Sequence, residues 1–180
     1  MDAEIIFDIH FHNYSARRLS LEDRQAVQTL LEKCLDYMLL VDGHPAGPNA
    51  AEEVLQSAPP GISPDDKFVF GFFNSQNELV GLLDGVRRYP DETTWWIGLL
   101  IFAPEIRAQG IGQKAMQGFA EYARVNGAQA IMLGVVEENE RAYSFWTRMG
   151  FEFVRKTEPR PFGEKTQRVN IMRRNLLDAN

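Results

Sequence analysis

Two glycines in the segment RAQGIGQKAM (107–116) mark the point where a strand pattern changes into a helix pattern. The run WWIGLLIF (95–102) before them is almost continuously apolar, which is typical of a strand buried on both faces. After them, apolar side chains recur at helical spacing from about 109 to 126. A backbone that turns at Gly110 and Gly112 into a helix N-terminus presents unpaired amides, which bind phosphate groups. The segment therefore predicts an anion site, unless the glycines form only a packed corner.

Length and composition indicate one globular domain. The 180 residues are 44% hydrophobic and 24% charged, which suffices for one sizeable core. No apolar run approaches the roughly 18 residues of a membrane span, and the N-terminal MDAEIIFDIH is acidic where a signal peptide is basic. We therefore expect a cytoplasmic protein without a membrane partner. The one cysteine, Cys34, lies in an apolar helical stretch and is expected in the core.

Acidic and basic residues are distributed unevenly along the chain. The net charge of −6 argues against a nucleic-acid partner. Residues 1–94 carry 7 Lys and Arg against 16 Asp and Glu, whereas residues 95–180 carry 12 against 9. A bound anion is therefore expected in the second half. The acidic first half either favours a cationic partner or consists of solvated helix faces.

The pattern of apolar residues and breakers predicts the element order βααβββαβαββ. The first strand lies near 15, and Ser20 and Asp23 cap the helix that follows it. That helix spans 20–40, and the other helices are expected at 50–57, 109–126 and 139–149. The other strands are expected at 67–73, 78–89, 93–103, 130–136, 151–156 and 167–175. The loops are expected at 41–49, 58–66 and 157–166. This order predicts an α/β or α+β fold with helices on both faces of a mixed sheet.

Two common phosphate motifs fit the glycine segment poorly. A Walker loop needs Ser or Thr after its lysine, but Lys114 is followed by Ala115. Gly110-x-Gly112-x-x-Ala115 matches the dinucleotide fingerprint, and the acids at 137–138 could bind a ribose. However, six residues separate the strand from the glycines, and the chain after them is too short for two βαβαβ halves. A dinucleotide-binding protein remains a third-ranked hypothesis.

Two motifs together resemble the GNAT superfamily of N-acetyltransferases. The first is Arg107-x-x-Gly110-x-Gly112 after a strand and Pro104, and the second is N-x-x-A-x-x-F-W-x-x-x-G-F at 139–151. The resemblance covers about 67–175, while 15–57 agree only in pattern. It implies a mixed, mostly antiparallel sheet of about seven strands with splayed central strands and helices on both faces. Within a single domain of residues 1–180, segment 15–66 would face the acceptor and 67–175 would form the cofactor-binding core.

The resemblance implies acetyl-CoA as the acyl donor, without a metal. The amides of 109–114 would bind the pyrophosphate at the helix N-terminus, and Arg107 would support their loop. The pantetheine arm would pair with the main chain of 101–103, and Asn139 would either bond the arm or only cap its helix. The predicted cofactor-binding residues are Ile101, Phe102, Ala103, Arg107, Gln109, Gly110, Ile111, Gly112, Gln113, Lys114, Asn139 and Trp146.

The acid and base positions of the family are occupied by other residues here. Members often carry a base glutamate where this chain has Leu99 or Gly134, and an acid tyrosine where it has Trp146. Three substitutes are predicted, each with a structural alternative, in a direct attack by the amine. Tyr143 would be the acid, or else only an aromatic residue that packs. Glu137 (or Glu138) would be a base, or else a solvated carboxylate. Asp84 would be a base, or else a residue that stabilises a bulge.

The acceptor is expected to be a primary amine of a small molecule or a peptide. It would lie among the first two helices and the loops at 41–49, 58–66 and 157–166. Trp95 and Trp96 are adjacent in a strand and point to opposite faces, so at most one of them would line the cleft while the other packs under a helix. A homodimer is left open, and a CoA-binding sensor without transferase activity is the alternative function. His10 and His12 form a His-x-His pair, but His44 is distant, so no metal site is expected.

Overall fold

The computed structural model describes residues 14–177, so His10 and His12 lie outside the described residues. The helices are α1 (Arg24–Lys33), α2 (Leu35–Val41), α3 (Ala50–Gln56), α4 (Ile111–Val125) and α5 (Glu140–Arg148). The strands are β1 (Ser15–Arg18), β2 (Lys67–Phe73), β3 (Leu79–Val86), β4 (Thr94–Phe102), β5 (Ala130–Val136), β6 (Glu152–Lys156), β7 (Arg160–Phe162), β8 (Lys165–Gln167) and β9 (Val169–Asn175).

Seven strands form one mixed sheet in the order β1-β2-β3-β4-β5-β9-β6. Neighbouring strands are antiparallel except for β4 and β5, which are parallel and connected through α4. This sheet confirms the predicted mixed, mostly antiparallel architecture. It also removes the dinucleotide hypothesis, because a doubly wound dinucleotide fold needs a mainly parallel sheet.

Hydrophobic clusters cover both faces of the sheet. On one face, α4 buries Phe119 against Phe68 and Trp95, with ring centroids 5.5 and 6.1 Å away. On the other face, α1 buries Leu30 and Leu31 against strands β2 to β4. The helical periodicity in the sequence predicted the buried face of each helix. Helices on both faces are therefore confirmed.

The two adjacent tryptophans of β4 take opposite faces of the sheet, as predicted. Trp95 is 3% exposed and packs under α4. Trp96 packs edge-on against Tyr89 at 5.7 Å and lines a cavity on the other face.

The helix predicted over 20–40 is two helices. Cys34 departs from helical dihedrals, with φ −87° and ψ 38°, so α1 ends before it and α2 begins after it. The buried Cys34 thiol donates to the Phe102 carbonyl oxygen at 3.5 Å, a contact across 68 residues. Neither glycine nor proline signals this break, which explains why the sequence pattern did not reveal it.

Two predicted loops also differ from expectation. The loop at 157–166 contains the hairpin β7–β8, a separate two-stranded sheet. The loop at 58–66 lines neither of the two cavities at the divergence of β4 and β5, because buried Asp66 ties it to Arg87 and Arg88 at the far ends of β2 and β3. Within 14–177 no helix has the length and apolarity to cross a bilayer. The cytoplasmic location stays a prediction.

Candidate active site

The central strands β4 and β5 pair over only part of their length. Their register runs from Thr94 opposite Ala130 to Ile97 opposite Leu133, yet β4 continues to Phe102 and β5 to Val136. The sheet is therefore open between the ends of these strands. The splayed geometry that the resemblance implied is present.

A β-bulge accompanies the opening. The register of β3 with β4 shifts between Asp84 and Gly85, which leaves Gly98 without an opposite residue. Because the bulge changes the alternation of side chains, Ile97 and Leu100 both pack on the α4 side. Gly98 itself is exposed at the opening. A side chain there would approach the Asp84 carboxylate, since an added Cβ would lie 2.9 Å from Oδ2.

On one side of the opening lies a cavity of about 520 Å³ between the start of α4, α5 and α2, which we name the donor cleft after the acyl-donor site that the resemblance implied. Gly110 has φ +86° and Ala108 φ +61°, so this turn needs the left-handed region at two positions. No side chain caps the helix that follows, which leaves its first amides available to a ligand. The charged residues of the lining are Arg107, Arg141, Arg148 and Asp36. Three cations against one carboxylate favour an anion.

Arg107 fastens the glycine turn to the end of β4. Its Nε donates to the Phe102 carbonyl oxygen at 2.7 Å, and its Nη1 donates to Asp36 of α2 at 2.5 Å. Its Nη2 is buried without a hydrogen-bond partner among residues 14–177. Arg107 therefore supports the loop and is itself one of the residues that line the cleft.

The predicted cofactor-binding residues divide into two groups. The donor cleft brings together Ile101, Phe102, Arg107, Gly110, Gly112, Gln113, Asn139 and Trp146. The remaining four do not line it: Ala103, Gln109, Ile111 and Lys114. The side chain of Ile111 is 2% exposed in the core, and that of Gln109 donates to Glu105 O at 3.0 Å.

The free main-chain edge of β4 differs slightly from the predicted one. The Ala103 amide donates to Val80 O at 2.8 Å, so it is engaged by β3. Since main-chain groups alternate along a strand, those of Leu100 and Phe102 face the opening. The edge offered to an extended ligand is thus 100–102 rather than 101–103.

On the other side of the opening lies a cavity of about 180 Å³, which we name the acceptor cavity after the acceptor site that the sequence predicted. It is enclosed by α2, the ends of β4 and β5, and the hairpin β7–β8. The two spaces adjoin, because five residues line both of them: Tyr37, Leu100, Asn139, Ala142 and Trp146.

Three of the residues at this junction carry side-chain hydrogen-bond donors: Tyr37, Asn139 and Trp146. The Asn139 Oδ1 accepts from the Ala142 amide at 3.0 Å, which confirms the helix cap. The cap leaves the Nδ2 group for a ligand. Burial raises the pKa of Tyr37 to about 12, and the charges of Asp42 and Asp84 add to the effect. Tyr37 was not predicted from the sequence, since a tyrosine within LDYML resembles any other residue of an apolar helical face.

Asp84 lies beside the opening and is 15% exposed. It forms an ion pair with Lys67, which is 10% exposed. Burial raises the pKa of Asp84 to about 6, although the ammonium group of Lys67 opposes this rise. Asp84 therefore has a raised pKa and also lies beside the β-bulge.

Tyr143 and Glu137 lie away from the junction. They line a third groove, between α5 and β6, that shares no residue with the donor cleft or the acceptor cavity. Lys156 pairs with Glu137 and lowers its pKa. Glu138 pairs with Lys165 at 3.0 Å. Their catalytic roles stay predictions, which these positions do not support. Within the described residues, no cluster of three or more His, Cys, Asp or Glu is arranged to hold a metal ion.

Comparisons with known proteins agree with this architecture. The profile of the acetyltransferase (GNAT) family matches residues 42–151. A segment of 56 residues is 39% identical to N-alpha-acetyltransferase 30 of Schizosaccharomyces pombe, covering 31% of this chain and 37% of that relative.

Two solved structures share the fold over most of both chains. An acetyltransferase from Thermus thermophilus is 21% identical, with a TM-score of 0.74 over 92% of this chain and 99% of that one. Spermidine N-acetyltransferase from Vibrio cholerae, in complex with CoA and spermine, is 17% identical, with a TM-score of 0.71 over 92% and 96%.

The raised pKa of Asp84 predicts a pH-dependent effect of Asp84→Asn on stability. Between pH 4 and 6 the folded protein holds this proton and the unfolded chain releases it, so the unfolding free energy falls as pH rises through that window. Relative to Asp84→Asn, the unchanged protein should lose up to about 3 kcal/mol across it. Urea unfolding of both proteins at several pH values measures the difference. A difference that is constant from pH 4 to 6 would contradict the raised pKa.

Proposed function

Because the chain belongs to the GNAT family of acetyltransferases, we propose that it transfers an acetyl group from acetyl-CoA to a primary amine. The observation that carries the proposal is the junction of the donor cleft and the acceptor cavity where β4 and β5 diverge. Two substrates that enter from opposite sides meet at that junction. Holding both in register supplies up to roughly 7–11 kcal/mol of the barrier reduction.

Acetyl-CoA is assigned to the donor cleft because its chemistry fits the residues there. The pyrophosphate needs clustered N–H donors and positive charge, which the start of α4 and the three arginines of the cleft supply. The amide-rich pantetheine arm needs a free strand edge, and residues 100–102 supply one. The acetyl thioester then lies at the junction.

The transfer proceeds in a ternary complex. The amine nitrogen forms a bond to the carbonyl carbon of the thioester, and the carbon–sulfur bond breaks. The attacking nitrogen loses a proton, and the sulfur leaves as a thiolate that takes up a proton. Residues of this chain are needed to accept the first proton and to stabilise the charge on oxygen and sulfur.

Tyr37 is proposed as the hydrogen-bond donor to the departing sulfur. With a pKa of about 12 it remains protonated at neutral pH. It is a weaker acid than a thiol, whose ordinary pKa is about 8.5, so it donates a hydrogen bond rather than its proton. This role replaces the tyrosine that the family places where this chain has Trp146.

Asp84 is proposed as the base. With a pKa of about 6 it is ionised at neutral pH and still basic enough to accept a proton. The missing side chain of Gly98 leaves its Oδ2 close to the opening. Lys67 keeps the carboxylate in place through their ion pair.

The first experiment follows acetyl-CoA binding by calorimetry and thiol release with a library of primary amines. The proposal predicts both. Gly112→Glu should abolish both, because it adds bulk and negative charge at the start of α4. Gly47→Glu is the matched control, since nothing lies within 4 Å of an added Cβ there and it lines neither cavity. Binding without thiol release from any amine would favour the CoA-binding sensor, and unchanged binding by Gly112→Glu would refute the assignment of the cleft.

A second experiment compares Tyr37→Phe with Tyr143→Phe. Loss of a preorganised donor at the reacting atoms should lower kcat on the order of 10²-fold in Tyr37→Phe, with little change in the KM for acetyl-CoA. Tyr143→Phe should retain its kcat, because Tyr143 faces a separate groove. The opposite pattern would restore Tyr143 as the catalytic tyrosine and remove Tyr37.

A further inference from the structure

The residues that form the walls of the acceptor cavity indicate which class of amine it binds. This inference rests on the proposed function. Apart from the residues shared with the donor cleft, the lining is almost entirely aliphatic or aromatic. Examples are Val41, Trp96, Leu99, Leu133, Phe162 and Val169. Such a surface binds the apolar body of a ligand by excluding water from it.

No carboxylate is among the residues that line the acceptor cavity. Two acidic residues of the first half already have cationic partners: Asp23 pairs with Arg17 at 2.7 Å and Asp36 with Arg107 at 2.5 Å. Asp84 lies behind Gly98 and is paired with Lys67. A polycation would therefore find no second anionic partner here. The cationic partner that the charge distribution favoured has no binding surface in this cavity.

Arg160 is the one charged residue in the lining. It is exposed at the rim, with its guanidinium carbon 5.0 Å from the centroid of the Phe162 ring. Within 14–177 no carboxylate forms an ion pair with it. A guanidinium stacked on an aromatic ring retains its in-plane donors, which match the two oxygens of a carboxylate or the oxygens of a phosphonate.

The hairpin that carries Arg160 is fastened to the end of α2. The Glu164 amide donates to Asp42 O at 2.7 Å, and the Lys165 ammonium donates to Leu40 O at 2.9 Å. Gln167, which lies opposite Arg160 in the hairpin, donates to Val41 O at 2.6 Å. The main chain at Arg160 is thus held at the rim, so the residue is positioned before a ligand arrives.

The small volume of the cavity favours a small acceptor. About 180 Å³ is below the roughly 300–1,000 Å³ that is usual for ligand clefts. We infer that the acceptor is a small primary amine with an apolar, preferably aromatic, body and an anionic group. The amine lies at the junction and the anionic group binds Arg160. Polyamines are not the acceptors of this chain.

Matched pairs of acids and amines test this inference by binding as well as by turnover. In the first pair para-(aminomethyl)benzoate is compared with para-methylbenzylamine, and in the second phenylalanine is compared with phenethylamine. Each compound is titrated into the CoA-saturated protein by calorimetry, and spermidine is titrated in the same way as the polycation. In at least one pair the acid should bind roughly tenfold more tightly, the effect of one charge-assisted hydrogen-bond pair. Arg160→Ala should remove that preference and leave unchanged the affinity for the amine of the pair, which lacks a carboxylate.

Arg155→Ala is the control, because Arg155 is an exposed arginine of β6 that lines neither cavity. It should keep the preference for the acid. Equal or better binding of the amines or of spermidine, or a preference that survives in Arg160→Ala, would overturn the inference. Binding decides this question even if no thiol is released, whereas absence of thiol release with bound acid and acetyl-CoA would count against the proposed function alone.

Discussion

The partial pairing of β4 with β5 is the constraint on which the rest of the site depends. Buried main-chain groups are almost always hydrogen-bonded, so two parallel strands that part inside a sheet need other partners for their free edges. On β4 the Phe102 carbonyl oxygen is satisfied by Arg107 and Cys34, while the edge at 100–102 remains open to a ligand. Main-chain groups without hydrogen-bond partners at the opening cost free energy in the isolated chain. A bound pantetheine-like arm would pair with them and offset that cost.

Packing on both faces keeps the opening from closing or spreading. The α4 side holds the aromatic cluster around Phe119, and the α1 side holds the aliphatic cluster around Leu30. Arg107 joins three parts of the site, because it bonds the end of β4, carries the glycine turn and reaches Asp36 on α2. The same helix presents Tyr37 to the junction. Arg107 thus links the glycine turn to the helix that carries Tyr37, the proposed hydrogen-bond donor to sulfur.

The features that the sequence predicted are those that local pattern determines. The apolar run before Gly110 is the central strand, the helical spacing after it is α4, and the adjacent Trp95 and Trp96 take opposite faces because strand side chains alternate. The missed features arise from contacts between distant segments. Cys34 ends α1 where its thiol meets Phe102, and the hairpin at 160–167 is fastened to the end of α2. Tyr143 was predicted as the acid because it lies one helical turn before Trp146, but Tyr143 lines another groove.

The central claim is that the thioester of acetyl-CoA lies at the junction of the two cavities. A crystal structure of the protein with acetyl-CoA tests it most directly. The account predicts the pyrophosphate on the first amides of α4, the arm along residues 100–102, and the thioester sulfur within hydrogen-bond reach of the Tyr37 hydroxyl. A cofactor whose thioester lies in the groove of Tyr143 and Glu137, or whose pyrophosphate avoids Gly110 and Gly112, would contradict the account.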